Sequence, residues 1–251
     1  MDRWSGKIAL VTGASSGIGA KIGEDLARHG LKVVAVARRL EKLKELQAKV
    51  QKLGVPGKIY PLECDVRKEE DILKVFKWIE KEFGRLDVLV NNAAVLATET
   101  IIEGATETYR KIMDVNVIAV AICTREAVKL MSKHKSQGHI ININSVAGHN
   151  AEIIKYPLSL YSCSKYAITA MCEAVRNELV AKQLDIKLTS ISPGAVKTDM
   201  IMALSDLGNV LDKIPMLTDK DISDGVIYTL STPPATEVKE LTITPLHASL
   251  P

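Results

Sequence analysis

Seven short apolar runs, separated by helical stretches, constrain this chain more than any other feature. They are Lys7–Val11, Lys32–Ala37, Lys58–Glu63, Leu86–Val90, His139–Asn144, Ile186–Ile191 and Leu241–Thr244. Rich in Val, Ile and Leu and mostly without polar alternation, they read as strands buried on both faces of a parallel sheet. Between them, Leu40–Leu53 and Glu69–Phe83 are amphipathic and rich in helix formers. Gly54 and Gly84 fall at their ends, where a left-handed cap residue is needed. Thr106–Lys133 and Leu160–Ala181 are longer and more apolar helices. Repeated strand–helix units imply right-handed crossovers and an α/β fold, a doubly wound parallel sheet flanked by helices.

With 251 residues, 47% of them hydrophobic, the chain can bury one substantial core. No linker, repeat or low-complexity segment interrupts it, so residues 1–251 are expected to form one domain. The irregular stretch Lys197–Lys220 exceeds an ordinary connection and is read as a substrate lid, with Met200-Ile201-Met202-Ala203-Leu204 suited to an apolar pocket.

The first strand runs into Thr12-Gly13-Ala14-Ser15-Ser16-Gly17-Ile18-Gly19, and a helix follows. Glycines without Cβ atoms let backbone N–H groups approach a pyrophosphate, and the helix N-terminus then faces that anion. The second strand ends in Ala37-Arg38-Arg39. An NAD site usually places a carboxylate near Ala37 to hold the ribose 2′-hydroxyl. Two guanidiniums instead suit a 2′-phosphate, so NADP(H) is the expected cofactor. In Cys64-Asp65-Val66 a carboxylate closes the third strand region; it reads either as an ordinary turn residue or as an acceptor for the adenine amino group.

Tyr161-Ser162-Cys163-Ser164-Lys165 opens a helix. Positions i and i+4 share a helical face, so phenol and ammonium can work together. The expectation is that the cation lowers the tyrosine pKa from its usual ~10 toward general acid–base work. Ser145 closes the fifth strand and can donate to a carbonyl or developing alkoxide. Asn116 interrupts an apolar helical stretch, where either a kink or bound water, or core packing with a satisfied amide, is expected. Cys163 is read as a small packing residue.

Other chemistries are poorly supported. The net charge is only +3, from 33 basic and 30 acidic residues, and 4% of residues are aromatic, which argues against nucleic-acid partners. No run approaches the ~18 apolar residues of a membrane span. The five histidines show no metal-ligand spacing, so no metal site is expected. Four cysteines without a CxxC pair suit reduced thiols and a cytoplasmic location.

The ordered set Thr12–Gly19, Asn91-Asn92-Ala93-Ala94, Asn116, Ser145, Tyr161-x3-Lys165 and Pro193-Gly194 resembles the single-domain branch of the short-chain dehydrogenase/reductase family. That resemblance implies a seven-stranded Rossmann-fold sheet in the order 3-2-1-4-5-6-7. It implies Tyr161 as proton exchanger, and Lys165 as the group that tunes it and holds the nicotinamide ribose. It further implies that Ser145 orients the substrate oxygen and that Asn116 holds a water linking Lys165 to solvent. Asn91 and Ala93 would line the cofactor channel. Pro193, Gly194 and Thr198 would seat the nicotinamide, with Val196 offering backbone to its carboxamide. Two departures stand out: Ala94 replaces a usual glycine, and the Ser145–Tyr161 interval is longer than common, which alters the Gly148–Leu160 border of the pocket. More narrowly, Met1–Trp4, Ala37–Arg39 and Leu241–Pro245 resemble insect farnesol dehydrogenase-like proteins, which implies a lipophilic alcohol or carbonyl substrate. The family also suggests a homotetramer or dimer. The alternative from another class is a non-catalytic NADP(H)-binding regulatory or scaffold protein on the same fold, which has no need of an intact Ser–Tyr–Lys set.

Overall fold

A computed structural model describes residues 1–133, 137–154, 156–202 and 215–246. Much of the expected lid (residues 203–214), with Ala203 and Leu204, lies outside the described residues. Seven parallel strands form one sheet: β1 (Ile8–Thr12), β2 (Lys32–Ala37), β3 (Lys58–Glu63), β4 (Val88–Asn91), β5 (Gly138–Ile143), β6 (Ile186–Pro193) and β7 (Glu240–Ile243). Their order, β3-β2-β1-β4-β5-β6-β7, is the expected one.

The helices are α1 (Gly17–Arg28), α2 (Leu40–Lys52), α3 (Glu69–Phe83), α4 (Thr106–Met113), α5 (Ala119–Lys133), α6 (Tyr161–Ala181), α7 (Asp199–Met202) and α8 (Asp219–Ser231). Successive strand residues point to opposite faces, and both faces are covered. Ala9, Val11, Val33, Ala35 and Ile191 pack with Ile22 and Leu26 of α1 and Ile222 and Val226 of α8. Leu10, Val34, Leu89, Ile140 and Leu188 pack with Ile72 and Ile79 of α3, Ala127 of α5 and Ile168 of α6. This two-sided burial is why the five inner strands lack polar alternation, while the edge strands β3 and β7 are only partly buried. Truncating a fully buried residue such as Leu10 to alanine costs about 2–5 kcal/mol.

Thr106–Lys133 reads in sequence as one helix, but between α4 and α5 the backbone forms a π-helical turn at Asp114–Ile118. Such turns arise where the i→i−4 ladder is interrupted and are frequent at functional sites. Asn116 sits within it, as the expected kink required. Gly84 caps α3 in the left-handed region at φ 72°, as its position predicts. Cys163, expected to pack, is exposed on the first turn of α6.

β1 lies between β2 and β4, so the chain leaves its carboxyl end in opposite directions on either side. This reversal opens a crevice above β1 and β4.

Candidate active site

The glycine turn after β1 depends on two close approaches. Gly13 takes φ +67°, and a Cβ there would lie 2.8 Å from the Ala93 Cα. A Cβ on Gly19 would lie 2.4 Å from Asn92 Nδ2 and 2.6 Å from the Gly13 carbonyl oxygen. Neither position has room for a larger residue. Thr12 Oγ1 accepts the N–H groups of Asn92 and Ala93, each at 3.0 Å, and Asn92 Nδ2 donates to the Thr12 carbonyl at 2.9 Å. The turn is thereby buckled to the end of β4. Ser16, the N-cap of α1, makes no side-chain capping bond, and the first turn holds no acidic residue. The free N–H groups and the helix dipole form an anion-seeking end.

Arg39 folds back over this turn. Its Nη2 donates to Ser15 Oγ at 3.0 Å and Ser16 Oγ at 2.7 Å. Asp65 is engaged by Arg67, whose Nε lies 3.0 Å from Oδ1 and 3.1 Å from Oδ2. The Arg67 hydrogen bond holds the Asp65 carboxyl below its ordinary value, with a smaller contribution from Arg38.

One cavity of about 540 Å³ runs from the glycine turn to the start of α6. This size suits a small-molecule or cofactor site. Its wall includes Gly13 and residues 15–19, Arg38 and Arg39, Asp65 and Val66, and Ala93. Toward α6 it includes Ser145, Tyr161, Lys165, Pro193, Gly194, Val196 and Thr198. Two expected residues are not on it. Asn91 is buried beneath, its Nδ2 donating to Asn142 Oδ1 at 2.9 Å and Thr124 Oγ1 at 3.2 Å. Strand alternation is the reason: it turns Asn91 toward α5 and leaves its neighbour Asn92 on the wall. Asn116 is also buried, its Oδ1 accepting the Val95 N–H at 2.8 Å. Its Nδ2 donates to the Val95 carbonyl at 2.9 Å and to Ser164 Oγ at 3.0 Å. Both amide hydrogens are therefore spent on protein, and the side chain anchors the segment after β4 to α6. Ala94 has no positive φ, so its extra methyl brings no backbone strain.

Tyr161 is the first residue of α6, and Lys165 follows one turn later. Lys165 is buried, donates from Nζ to the Ile143 carbonyl at 2.8 Å, and lies 5.6 Å from the centroid of the Tyr161 ring. Burial pushes its pKa down to about 8. Burial also raises the Tyr161 phenol above its ordinary value, partly offset by a hydrogen bond from Ser145. This corrects the expectation of a phenol lowered by its lysine: desolvation penalises both charged forms and dominates in the protein alone. The Ser145 Oγ accepts the Ala147 N–H at 3.1 Å, which leaves its own hydrogen for the phenol or a substrate oxygen. The geometry can thus hold an oxygen between a hydroxyl donor and a protonated phenol.

Arg67 and Asn92 were missed by sequence reasoning. The only signal for Arg67 was the Asp-x-Arg spacing, in which the Arg67 N–H also bonds Asp65 Oδ1 at 3.1 Å. Among the described residues, no three His, Cys, Asp or Glu side chains are grouped to hold a metal ion. No helix among them is long and apolar enough to cross a membrane.

Fold and site together define a Rossmann-type α/β protein whose glycine turn and tyrosine–lysine–serine set line one cavity. The short chain dehydrogenase family profile matches residues 7–207, and the chain belongs to that family of oxidoreductases. It is 46% identical over 249 residues to the farnesol dehydrogenase of Aedes aegypti, covering 98% of each chain. It is 41% identical to dehydrogenase/reductase SDR family member 11 of Gallus gallus, again over 98% of each. The expected likeness to insect farnesol dehydrogenases is therefore borne out. Among solved structures, a short-chain type dehydrogenase/reductase from Mycobacterium marinum superposes with a TM-score of 0.86 at 29% identity, over 96% of this chain and 95% of that one. A Burkholderia phymatum relative in complex with NAD shares the fold at a TM-score of 0.84 and 22% identity, over 96% and 90% of the two chains.

Family membership implies a nicotinamide dinucleotide, and the residues fit one. A Cβ at Gly13 or Gly19 would clash with the packed turn, and α1 offers uncapped N–H groups. At the other end, one Lys165 N–H is committed to Ile143, and the ammonium lies on the cavity wall.

Proposed function

We propose that the chain is an NADP(H)-dependent oxidoreductase that interconverts a lipophilic alcohol and its aldehyde or ketone, of farnesol-like terpenoid or steroid-like type. The observation that carries this reading is the convergence of Ser145, Tyr161 and Lys165 on one cavity whose far end is the glycine turn. When bound, NADP(H) supplies or accepts the hydride. The chain's own residues hold the substrate and manage the proton.

In reduction, Ser145 donates a hydrogen bond to the substrate oxygen, and Tyr161, kept protonated by burial, delivers the proton to it. In oxidation Tyr161 takes that proton back, with a nearby positive charge favouring the phenolate. The remaining N–H groups of Lys165 would hold the nicotinamide ribose. Asn116, through Ser164 and the Val95 backbone, sets the spacing between α6 and the loop after β4. Pro193, Gly194 and Thr198, on the same cavity wall, would seat the nicotinamide, with Val196 offering backbone to its carboxamide.

Arg39, poised over Ser15 and Ser16, supports NADP(H) over NAD(H), together with Arg38 and the absent carboxylate at Ala37. Leu96, Ile154, Leu158, Met200 and Ile201 line the same cavity and favour an apolar substrate. Residues 197–220 serve as its lid within one domain. The protein works as a cytoplasmic homodimer or homotetramer, an assembly supported by the exposure of Ile118 on the π-helical turn and of Tyr166 and Val180 on α6. Terpenoid alcohols and aldehydes, steroids and small quinones, assayed by absorbance at the NADPH band, test the reading. Turnover of an apolar carbonyl or alcohol with NADP(H) is expected, and inactivity across the panel would refute it.

A further inference from the structure

The crevice holds one charged pair that neither the glycine turn nor the Tyr–Lys–Ser set explains. Asp65 and Arg67 both line the cavity beside Arg38 and Arg39. Their pairing is bidentate and reinforced by the backbone, since Arg67 donates its N–H as well as Nε and Nη2 to the same carboxylate. Asp65 is mostly buried, and Arg67 is about half exposed, at 15% and 40% side-chain exposure. Asp114, on the π-helical turn, is the other acid that interacts with Arg67.

We infer that Arg67 is a specificity-determining residue: by neutralising Asp65 it keeps the adenosine end of the cavity positive enough for a 2′-phosphate. This rests on the NADP(H) reading above. A 2′-phosphate brings roughly two negative charges to a wall that already carries a carboxylate. Arg38, Arg39 and Arg67 against Asp65 leave two positive charges there, and without Arg67 only one remains. The 2′-hydroxyl of NAD carries no charge, so its binding is far less sensitive to that difference. The Asp65 oxygens have further lone pairs, so the carboxylate can still accept from the adenine amino group in either cofactor. Arg67 therefore acts on the ratio of the two affinities rather than on dinucleotide binding as such.

The test measures the dissociation constants of NADP⁺ and NAD⁺ by calorimetry for wild type, Arg67→Ala, Asp65→Asn and Asp65→Asn/Arg67→Ala. Arg67→Ala should lower the preference for NADP⁺ about fivefold, the upper range for an exposed charge, with NAD⁺ binding little changed. The double variant should regain the wild-type ratio to within about twofold, because the charge that needed cancelling is gone. An unchanged ratio in Arg67→Ala, or equal weakening of both cofactors, would overturn the inference. So would a double variant that stays as unselective as Arg67→Ala. If wild type itself binds NAD⁺ as tightly as NADP⁺, the underlying cofactor reading fails, and that result is visible before any variant is compared.

Discussion

Replacing Lys165 by methionine should abolish turnover and yet make the protein more stable. Lys165 is 4% exposed, and burial moves its pKa from an ordinary 10.5 to about 8. At pH 7 it is charged in both the folded and unfolded states, so the shift corresponds to a penalty of about 3 kcal/mol on folding. Methionine removes that penalty at similar length and volume. It also leaves the Ile143 carbonyl without its partner, which costs about 1–2 kcal/mol. The net expectation is a gain of about 1–2 kcal/mol at pH 7, or roughly 3–6 °C in Tm for a chain of this size. The penalty is fully present below pH 8 and fades as pH rises toward 10.5, because the folded lysine loses its charge first. Equilibrium urea unfolding at pH 7 and pH 9.5, with m-values compared, reads this out. A Lys165→Met variant less stable than wild type at pH 7, or a gain independent of pH, would refute the reasoning.

Two further outcomes follow from the same electrostatics. The kcat/KM for carbonyl reduction should be flat through neutrality and fall above about pH 8 as Lys165 loses its proton, with Tyr161 still protonated; a pH–rate profile with no descending limb before pH 9 would contradict this. Burial alone would raise the Glu24 pKa, but pairs with Lys49 at 2.6 Å, Arg28 at 2.8 Å and Lys21 at 3.5 Å pull it to about 2. Glu24→Gln should cost about 2–4 kcal/mol at pH 7, and its gap from wild type should close as pH falls from 4.5 toward 2, measured by acid and urea titration together.

The strands were legible because burial on both faces writes unbroken Val, Ile and Leu runs. Their ends were less so: β4 starts at Val88 rather than Leu86, and β6 continues to Pro193. Ladder hydrogen bonds decide those ends, and apolar pattern does not report them. The π-helical turn at Asp114–Ile118 left only an out-of-place asparagine as its trace, since one inserted residue barely disturbs helical periodicity. Asn91 and Asn92 are adjacent in sequence and opposite in direction, so a motif names the pair without saying which faces the cavity. The Tyr161–Lys165 spacing correctly placed both groups on one wall. It could not show how deeply each is buried, and depth reverses the expected direction of the tyrosine shift. Arg67 had only the Asp-x-Arg spacing to announce it, a weak signal because a cation in a turn usually faces water.

Tyr161→Phe removes one hydroxyl from the cavity and little else. Single-turnover reduction of an apolar aldehyde with NADPH should slow by about 10²–10⁴-fold, while NADPH affinity stays within about twofold of wild type. Turnover within a few-fold of wild type would show that the proton at the substrate oxygen comes from elsewhere.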